Sequence, residues 1–331
     1  MVVRDDVPMS HRPILFAVLA VLLVATVGLY ALFARDLTRA RARLAGRSKT
    51  IETSFGTLEY AVLGEGEPML IIHGAAGGFD QGLDMTGALA GRGYQLIAPS
   101  RFGYLRSSLP DGLTTAMQAD AYAELLDRLG LDQVVVCGLS AGAWSSLQFA
   151  IRHPKRCRAL VLLVPADFLP VGTSIQGGAV ARAIFNSDFV AWAALNLMPI
   201  MPGGMTRMML GTDAAVVRAA EPSEQARVRE ILEHLLPVEP RSRGMQFDVE
   251  TATTHEPYPI EKIVCPVLTI SAEDDRFGTA SRARYLAAGV ADGRVVIFPT
   301  GGHALVGRYP EAMLEVTTFL RHVKGRLPPA K

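Results

Sequence analysis

Ser140 stands between two glycines in the stretch VVVCGLSAGAW (Val134–Trp144). A serine hydroxyl is a poor nucleophile and needs both exposure and a base. An apolar strand running into a helix through a sharp turn supplies the exposure, lifting the serine above the sheet. Gly138 and Gly142 leave room for backbone to pass close by. Ala141, at the start of the following helix, offers an N–H suited to a developing oxyanion. The chemistry such a site implies is acyl transfer through a serine.

The base should be a histidine, and seven are available. His303 follows the apolar run VVIFP within a Gly-Gly turn, which places it at the same sheet edge as Ser140. His11 precedes an apolar segment, His153 falls near a helix end, and no strand precedes His234, His255 or His322. His73 opens its own glycine turn, HGAAGG, and reads as structural. In that turn the Ala75 N–H is a second oxyanion donor, or the turn is only a glycine-rich loop. No Gly-Lys-Ser/Thr follows, so it is not a phosphate loop. The acid should follow the strand PVLTIS, where Glu273, Asp274 and Asp275 all stand. No HExxH and no paired Cys/His cluster point to a metal, and no cofactor is implied.

Short apolar runs must position these groups: Pro68–Ile72, Tyr94–Ala98, Gln133–Cys137, Ala159–Val164, Pro266–Ser271 and Arg294–Phe298. They are continuous rather than alternating, as in strands covered on both faces. Ile51–Phe55 and Thr57–Leu63 flank Gly56 as an antiparallel pair. Helical patterns over Thr115–Leu129 and Ala141–His153 lie between strands, so a mainly parallel sheet with right-handed crossovers is expected. From Pro165 to Pro257 no strong strand is present. That region is rich in Phe185, Phe189, Trp192, Met198, Met201, Met205, Met208 and Met209, and reads as an inserted helical cap.

With the motifs placed, residues 51–325 resemble the α/β-hydrolase superfamily. The resemblance is carried by HGAAGG, the elbow GLSAG, the acid loop SAEDD and GGH, in the order nucleophile, acid, histidine. Ala98–Tyr104, APSRFGY, resembles the family's post-strand loop. The resemblance implies an eight-stranded, mainly parallel sheet with a helical cap (165–257) after the sixth strand. It also implies a triad of Ser140, His303 and an aspartate. In that family the acid commonly lies nine residues past the proline opening its strand, which favours Asp275 over Asp274. A serine at the elbow argues against epoxide and halide chemistry, where relatives use aspartate. Carboxylic-ester cleavage is the expected reaction. C–C and amide hydrolysis share the triad, and a non-catalytic membrane binding module is the remaining rival.

The N-terminus carries a different signal. Pro13–Ala34 is uncharged and about long enough to cross a bilayer as a helix. It is too long for a signal-peptide core and shows no polar face. The expected organisation is a tail (1–12), a transmembrane helix (13–34), a basic linker (35–50) and the hydrolase-like domain (51–331). Arg35, Arg39, Arg41, Arg43, Arg47 and Lys49 follow the span, against Arg4 and Arg12 before it. The excess argues for a cytoplasmic domain, and the arginines also suit a stalk resting on anionic headgroups. Overall, 33 basic and 32 acidic residues give no reason to expect a nucleic-acid partner. The expected partners are the membrane and a small, apolar ester. Cys137, Cys157 and Cys265 form no disulfide framework and read as buried thiols.

Overall fold

The computed structural model describes residues 12–168, 178–197, 202–254 and 258–326. Eight strands form one sheet: β1 (Lys49–Thr53), β2 (Gly56–Leu63), β3 (Glu67–Ile72), β4 (Tyr94–Pro99), β5 (Val134–Leu139), β6 (Cys157–Leu163), β7 (Val267–Ala272) and β8 (Gly293–Phe298). Their spatial order is β1-β2-β4-β3-β5-β6-β7-β8. β1 and β2 run antiparallel at one edge, while β3 through β8 pair in parallel. The continuous apolar runs have the expected cause: every residue of β5, β6 and β7 is buried. Alternate residues serve opposite cores. Leu70, Ile72, Val134, Val136, Leu160 and Leu162 face one cluster. Met69, Ile71, Val135, Cys137, Ala159 and Val161 face the other.

Helices cover both faces. In chain order they are α1 (Arg12–Leu44), α2 (Phe79–Thr86), α3 (Thr115–Arg128), α4 (Gly142–Arg152), α5 (Gly178–Phe185), α6 (Asp188–Leu197), α7 (Pro202–Leu210), α8 (Ala214–Ala219), α9 (Pro222–Glu233), α10 (Ser242–Thr254), α11 (Thr279–Ala288) and α12 (Tyr309–Arg326). The insertion between β6 and β7 holds α5 to α10 and no strand among the described residues. Its apolar side chains form two clusters. One joins Leu210, Val228, Leu232 and Leu235 to Ala76, Ala304 and Val306 of the main domain, with Phe185 and Met209 against it. The other gathers Ile184, Ala191, Trp192, Leu236 and Val238, with Met208 and Phe33 against it. Met208 and Met209 are thus packing residues. Met198, Met201, His11, His255 and Pro257 lie outside the described residues.

One expectation is corrected. Residues 35–44 are not a linker, because α1 continues without a break to Leu44 and stops at Gly46, whose φ is +73°. Up to Leu32 its large apolar side chains are exposed, and none of its most apolar stretch is buried against the rest of the chain. Beyond that the helix docks on α6. The Phe33 ring centroid lies 5.3 Å from Phe189 and 5.7 Å from Trp192, both edge-on. Trp192 Nε1 donates to Asp36 Oδ2 at 3.1 Å, and Leu37 is buried. Arg41 and Arg43 also turn toward the protein, reaching Asp188 at 3.4 Å and Asp80 at 2.8 Å.

Candidate active site

Ser140 directly follows β5 with a φ of +48°, a strained conformation for a residue with a side chain. The backbone around it is held firmly. Its N–H donates to Leu163 O at 3.0 Å, and its carbonyl accepts from Ala143 and Ala166 at 2.9 and 3.1 Å. The flanking glycines are needed for contact reasons. A Cβ on Gly142 would stand 2.4 Å from Ile72 O, and one on Gly138 would stand 2.3 Å from Ser146 Oγ.

His303 reaches Ser140 across the sheet edge, with Nε2 2.9 Å from Ser140 Oγ. Its Nδ1 lies 2.8 Å from Asp275 Oδ2. The Phe277 ring stands edge-on to the imidazole at 4.8 Å. The Asp275 side chain is fully buried and that of His303 is 16% exposed. Asp275 also accepts from Phe277 N–H at 2.9 Å and from the Thr279 hydroxyl. Burial alone would raise its pKa. The His303 charge and these hydrogen bonds outweigh it and hold the carboxyl below the usual range.

The neighbouring acids have other partners. Asp274 accepts from Gly302 N–H at 2.8 Å, bracing the turn that presents His303. Glu273 pairs with Arg284 at the surface, 2.6 Å away. Ser140, His303 and Asp275 are therefore brought together. Two other described histidines are paired elsewhere, His153 with Asp120 and His234 with Asp84.

The loop after β3 lies against the serine. A Cβ on Gly74 would stand 3.0 Å from Ser140 Cβ, and Ala76 has a φ of +56°. Gly74 N–H donates to Gln81 Oε1 at 2.8 Å and Ala76 N–H to Met245 Sδ at 2.8 Å. The Ala75 and Ala141 N–H groups have no acceptor among the described residues. Those two donors flank the elbow, one on the loop and one at the start of α4.

Two buried arginines hold this loop by its carbonyls, which sequence reasoning missed. Arg101 forms a two-pronged pair with Asp248, both contacts at 2.6 Å, and donates to Gly74 O at 3.0 Å. Arg241 pairs with Asp80 at 2.8 Å and donates to Gly77 O at 2.6 Å. His73 is structural, as expected. Its Nε2 accepts from Arg101 N–H at 2.9 Å and its Nδ1 is 2.7 Å from Gly74 O. Burial and the Arg101 charge push this imidazole well below its usual value, so it is neutral. With Nε2 as acceptor, the proton sits on Nδ1. Arg101 belongs to the APSRFGY motif, but its partner Asp248 lies far away on α10. Nothing local marks that pairing.

Residues 67–307 match the model of the alpha/beta hydrolase fold family. The chain belongs to that family. The uncharacterized hydrolase YcgS of Bacillus subtilis (strain 168) is 28% identical over 274 residues, covering 78% of this chain and 92% of its own. A 2-hydroxy-6-oxo-6-phenylhexa-2,4-dienoate hydrolase of Burkholderia cepacia is 22% identical over 259 residues, covering 77% and 87%. Among solved structures, a membrane phospholipase A superposes with a TM-score of 0.63 at 19% identity, covering 95% of this chain and 99% of its own. That share exceeds the part of this chain that follows α1, so the likeness in fold includes part of the N-terminal helix. This α/β hydrolase is thus a hydrolase by family and by relatives.

Proposed function

We propose that this α/β hydrolase is a membrane-anchored serine hydrolase that cleaves carboxylic esters of small or apolar substrates. The observation that carries the reading is the unbroken relay from Asp275 through His303 to Ser140. In the proposed mechanism Ser140 Oγ attacks the ester carbonyl as His303 Nε2 takes its proton. The Ala75 and Ala141 N–H groups receive the oxyanion. His303 then returns the proton to the leaving alkoxide, and a water repeats the sequence on the acyl-enzyme. Asp275 fixes the tautomer with Nδ1 protonated and stabilises the imidazolium.

The apolar character of the substrate rests on the surroundings of the relay. Phe277 is against His303, and the cap cluster with Phe185 and Met209 closes over Ala76 and Ala304. Each methylene buried there is worth about 0.8 kcal/mol, roughly fourfold in kcat/KM, until the pocket is full. The p-nitrophenyl esters should therefore rise from acetate through butyrate toward octanoate, and a succinate half-ester should trail butyrate. A half-ester that equals or beats butyrate contradicts an apolar pocket. The Burkholderia relative favours a second reading, C–C hydrolysis of a dienoate on the same side chains. Turnover of such a dienoate without any ester turnover would select it.

Anchoring rests on the exposed apolar length of α1. Residues 13–34 span about 33 Å as a helix, close to the ~30 Å of a bilayer core. The excess of Arg and Lys after the span, at Arg35, Arg39, Arg41, Arg43, Arg47 and Lys49, supports a domain on the cytoplasmic side. The full-length chain should stay in the membrane pellet through 1 M-range salt and alkaline carbonate washes (about 0.1 M, pH about 11), because the attachment is hydrophobic and not ionic. Recovery in the soluble fraction contradicts the anchor.

A further inference from the structure

We propose that the end of the N-terminal helix belongs to the catalytic scaffold, with Arg43 as a positioning residue for the loop that carries the Ala75 N–H. The inference rests on the ester-hydrolase reading and deepens it. Arg43 sits on the last turn of α1, and its side chain is only 16% exposed. Its Nη1 donates to Asp80 Oδ2 at 2.8 Å, and its Nη2 donates to the carbonyls of His234 and Leu236 at 3.1 and 2.9 Å. Asp80 is fully buried at the start of α2, directly after the glycine loop. Arg241 shares Asp80 Oδ2 with Arg43, also reaches Oδ1 at 3.1 Å, and carries the connection onward to Gly77 O at 2.6 Å. Gly77 is two residues past Ala75.

The loop is therefore clamped by a guanidinium at each end. The Arg101 clamp on Gly74 is completed inside the domain by Asp248. The Arg241 clamp on Gly77 is completed by Asp80, and Asp80 is shared with the N-terminal helix. Charge balance does not require Arg43, because Arg241 already neutralises the single carboxylate. What Arg43 adds is direction. It ties Asp80 to the Leu236 and His234 carbonyls at the end of α9 and fixes where the Arg241 fork points. A carbonyl held outward at Gly77 leaves the preceding N–H groups little freedom to swing from the serine.

Arg41 provides the contrast. It docks the same helix on the cap by pairing with Asp188 at 3.4 Å, is 62% exposed, and among the described residues pairs with no residue of the 74–78 loop. If helix docking were all that mattered, the two arginines would be equivalent. An oxyanion donor displaced by about an ångström costs on the order of 10²-fold in rate.

The test uses the full-length protein in detergent micelles, with p-nitrophenyl acetate as an ester too small to reach far into the cap. It compares the parent with Arg43→Ala, Arg43→Lys and Arg41→Ala. Active-site titration counts competent molecules, and kcat, KM and the second-order rate of fluorophosphonate labelling are measured. Arg43→Ala should lower kcat and the labelling rate together by about 10- to 100-fold, with KM within about twofold. Arg43→Lys keeps the charge on Asp80 but loses the second arm, so it should fall between Arg43→Ala and the parent. Arg41→Ala should stay close to the parent. Should Arg43→Ala not fold, Arg43→Lys carries the test through its lowered kcat at unchanged KM. Parental kcat in Arg43→Lys and Arg43→Ala overturns the inference, as does an equal loss in Arg41→Ala or a loss confined to KM. A parent that takes no probe and hydrolyses no ester sinks the ester-hydrolase reading and this inference with it. An active parent with unaffected Arg43 variants sinks this inference alone.

Discussion

Ser140→Ala should lower kcat by about 10⁶-fold on any ester the parent hydrolyses, while the protein still folds. The size follows from the arrangement. Among the described residues, Ser140 Oγ is the hydroxyl next to His303 Nε2, 2.9 Å away, and in the proposed mechanism no acyl-enzyme forms without it. The residual rate over water then comes from oxyanion stabilisation and substrate binding alone. Folding should be spared because only a hydroxyl is lost. The φ of +48° belongs to the turn, and its strain is already carried by the strand and helix on either side. The change is read as kcat beside a thermal melt. A variant that melts like the parent and retains more than about a thousandth of its rate argues that another nucleophile does the work.

Asp275→Asn should lower kcat by about 10⁴-fold. In the proposed mechanism the aspartate accepts from Nδ1, so Nε2 is left free to take the serine proton. An asparagine amide in the same place donates to Nδ1 and forces the unproductive tautomer. Asp274→Asn is the matched control. It weakens one hydrogen bond, to Gly302 N–H at 2.8 Å, and should cost about tenfold or less. The opposite ranking would transfer the acid role to Asp274. The pH profile follows the same logic. Asp275 is held below the usual carboxylate range, so it stays ionised as the pH falls toward mild acidity. Activity lost on acidification then reports a proton taken up by the imidazole, and activity should rise with pH. A profile that is flat from about pH 5 to 8 contradicts a histidine base.

The strands, the elbow and His303 were legible because each leaves a local mark. A doubly covered strand is a run of apolar residues with no alternation. A serine at positive φ between close-packed backbones demands glycines two residues before and after it. A histidine in a Gly-Gly turn after the last strand has few other uses. Asp275 against Asp274 was legible only through resemblance, since one residue of loop length exchanges them. Gly302 N–H and His303 Nδ1 sort the two carboxylates, and both partners lie 28 residues further along the chain.

The carbonyl clamps left no local mark. Arg101 and Asp248 are separated by 147 positions, and Arg241 and Asp80 by 161. In a chain with 33 basic and 32 acidic residues, nothing in the neighbourhood of any one of them selects its partner. The length of α1 was legible and misjudged. RDLTRARARL holds good helix formers and no Gly or Pro until Gly46, so propensity favours a continued helix. Charge drew attention to lipid headgroups, whereas Arg43 spends its hydrogen bonds inside the protein.

Ser140 is proposed as the nucleophile of an anchored enzyme. The most direct test is labelling of the full-length protein, in its native membrane, with a broad fluorophosphonate, followed by peptide mapping of the adduct. One adduct is expected, on Ser140, that is lost in Ser140→Ala and strongly slowed in His303→Ala. An adduct on a different serine, or ester hydrolysis that continues with Ser140 unmodified, would contradict Ser140 as the nucleophile.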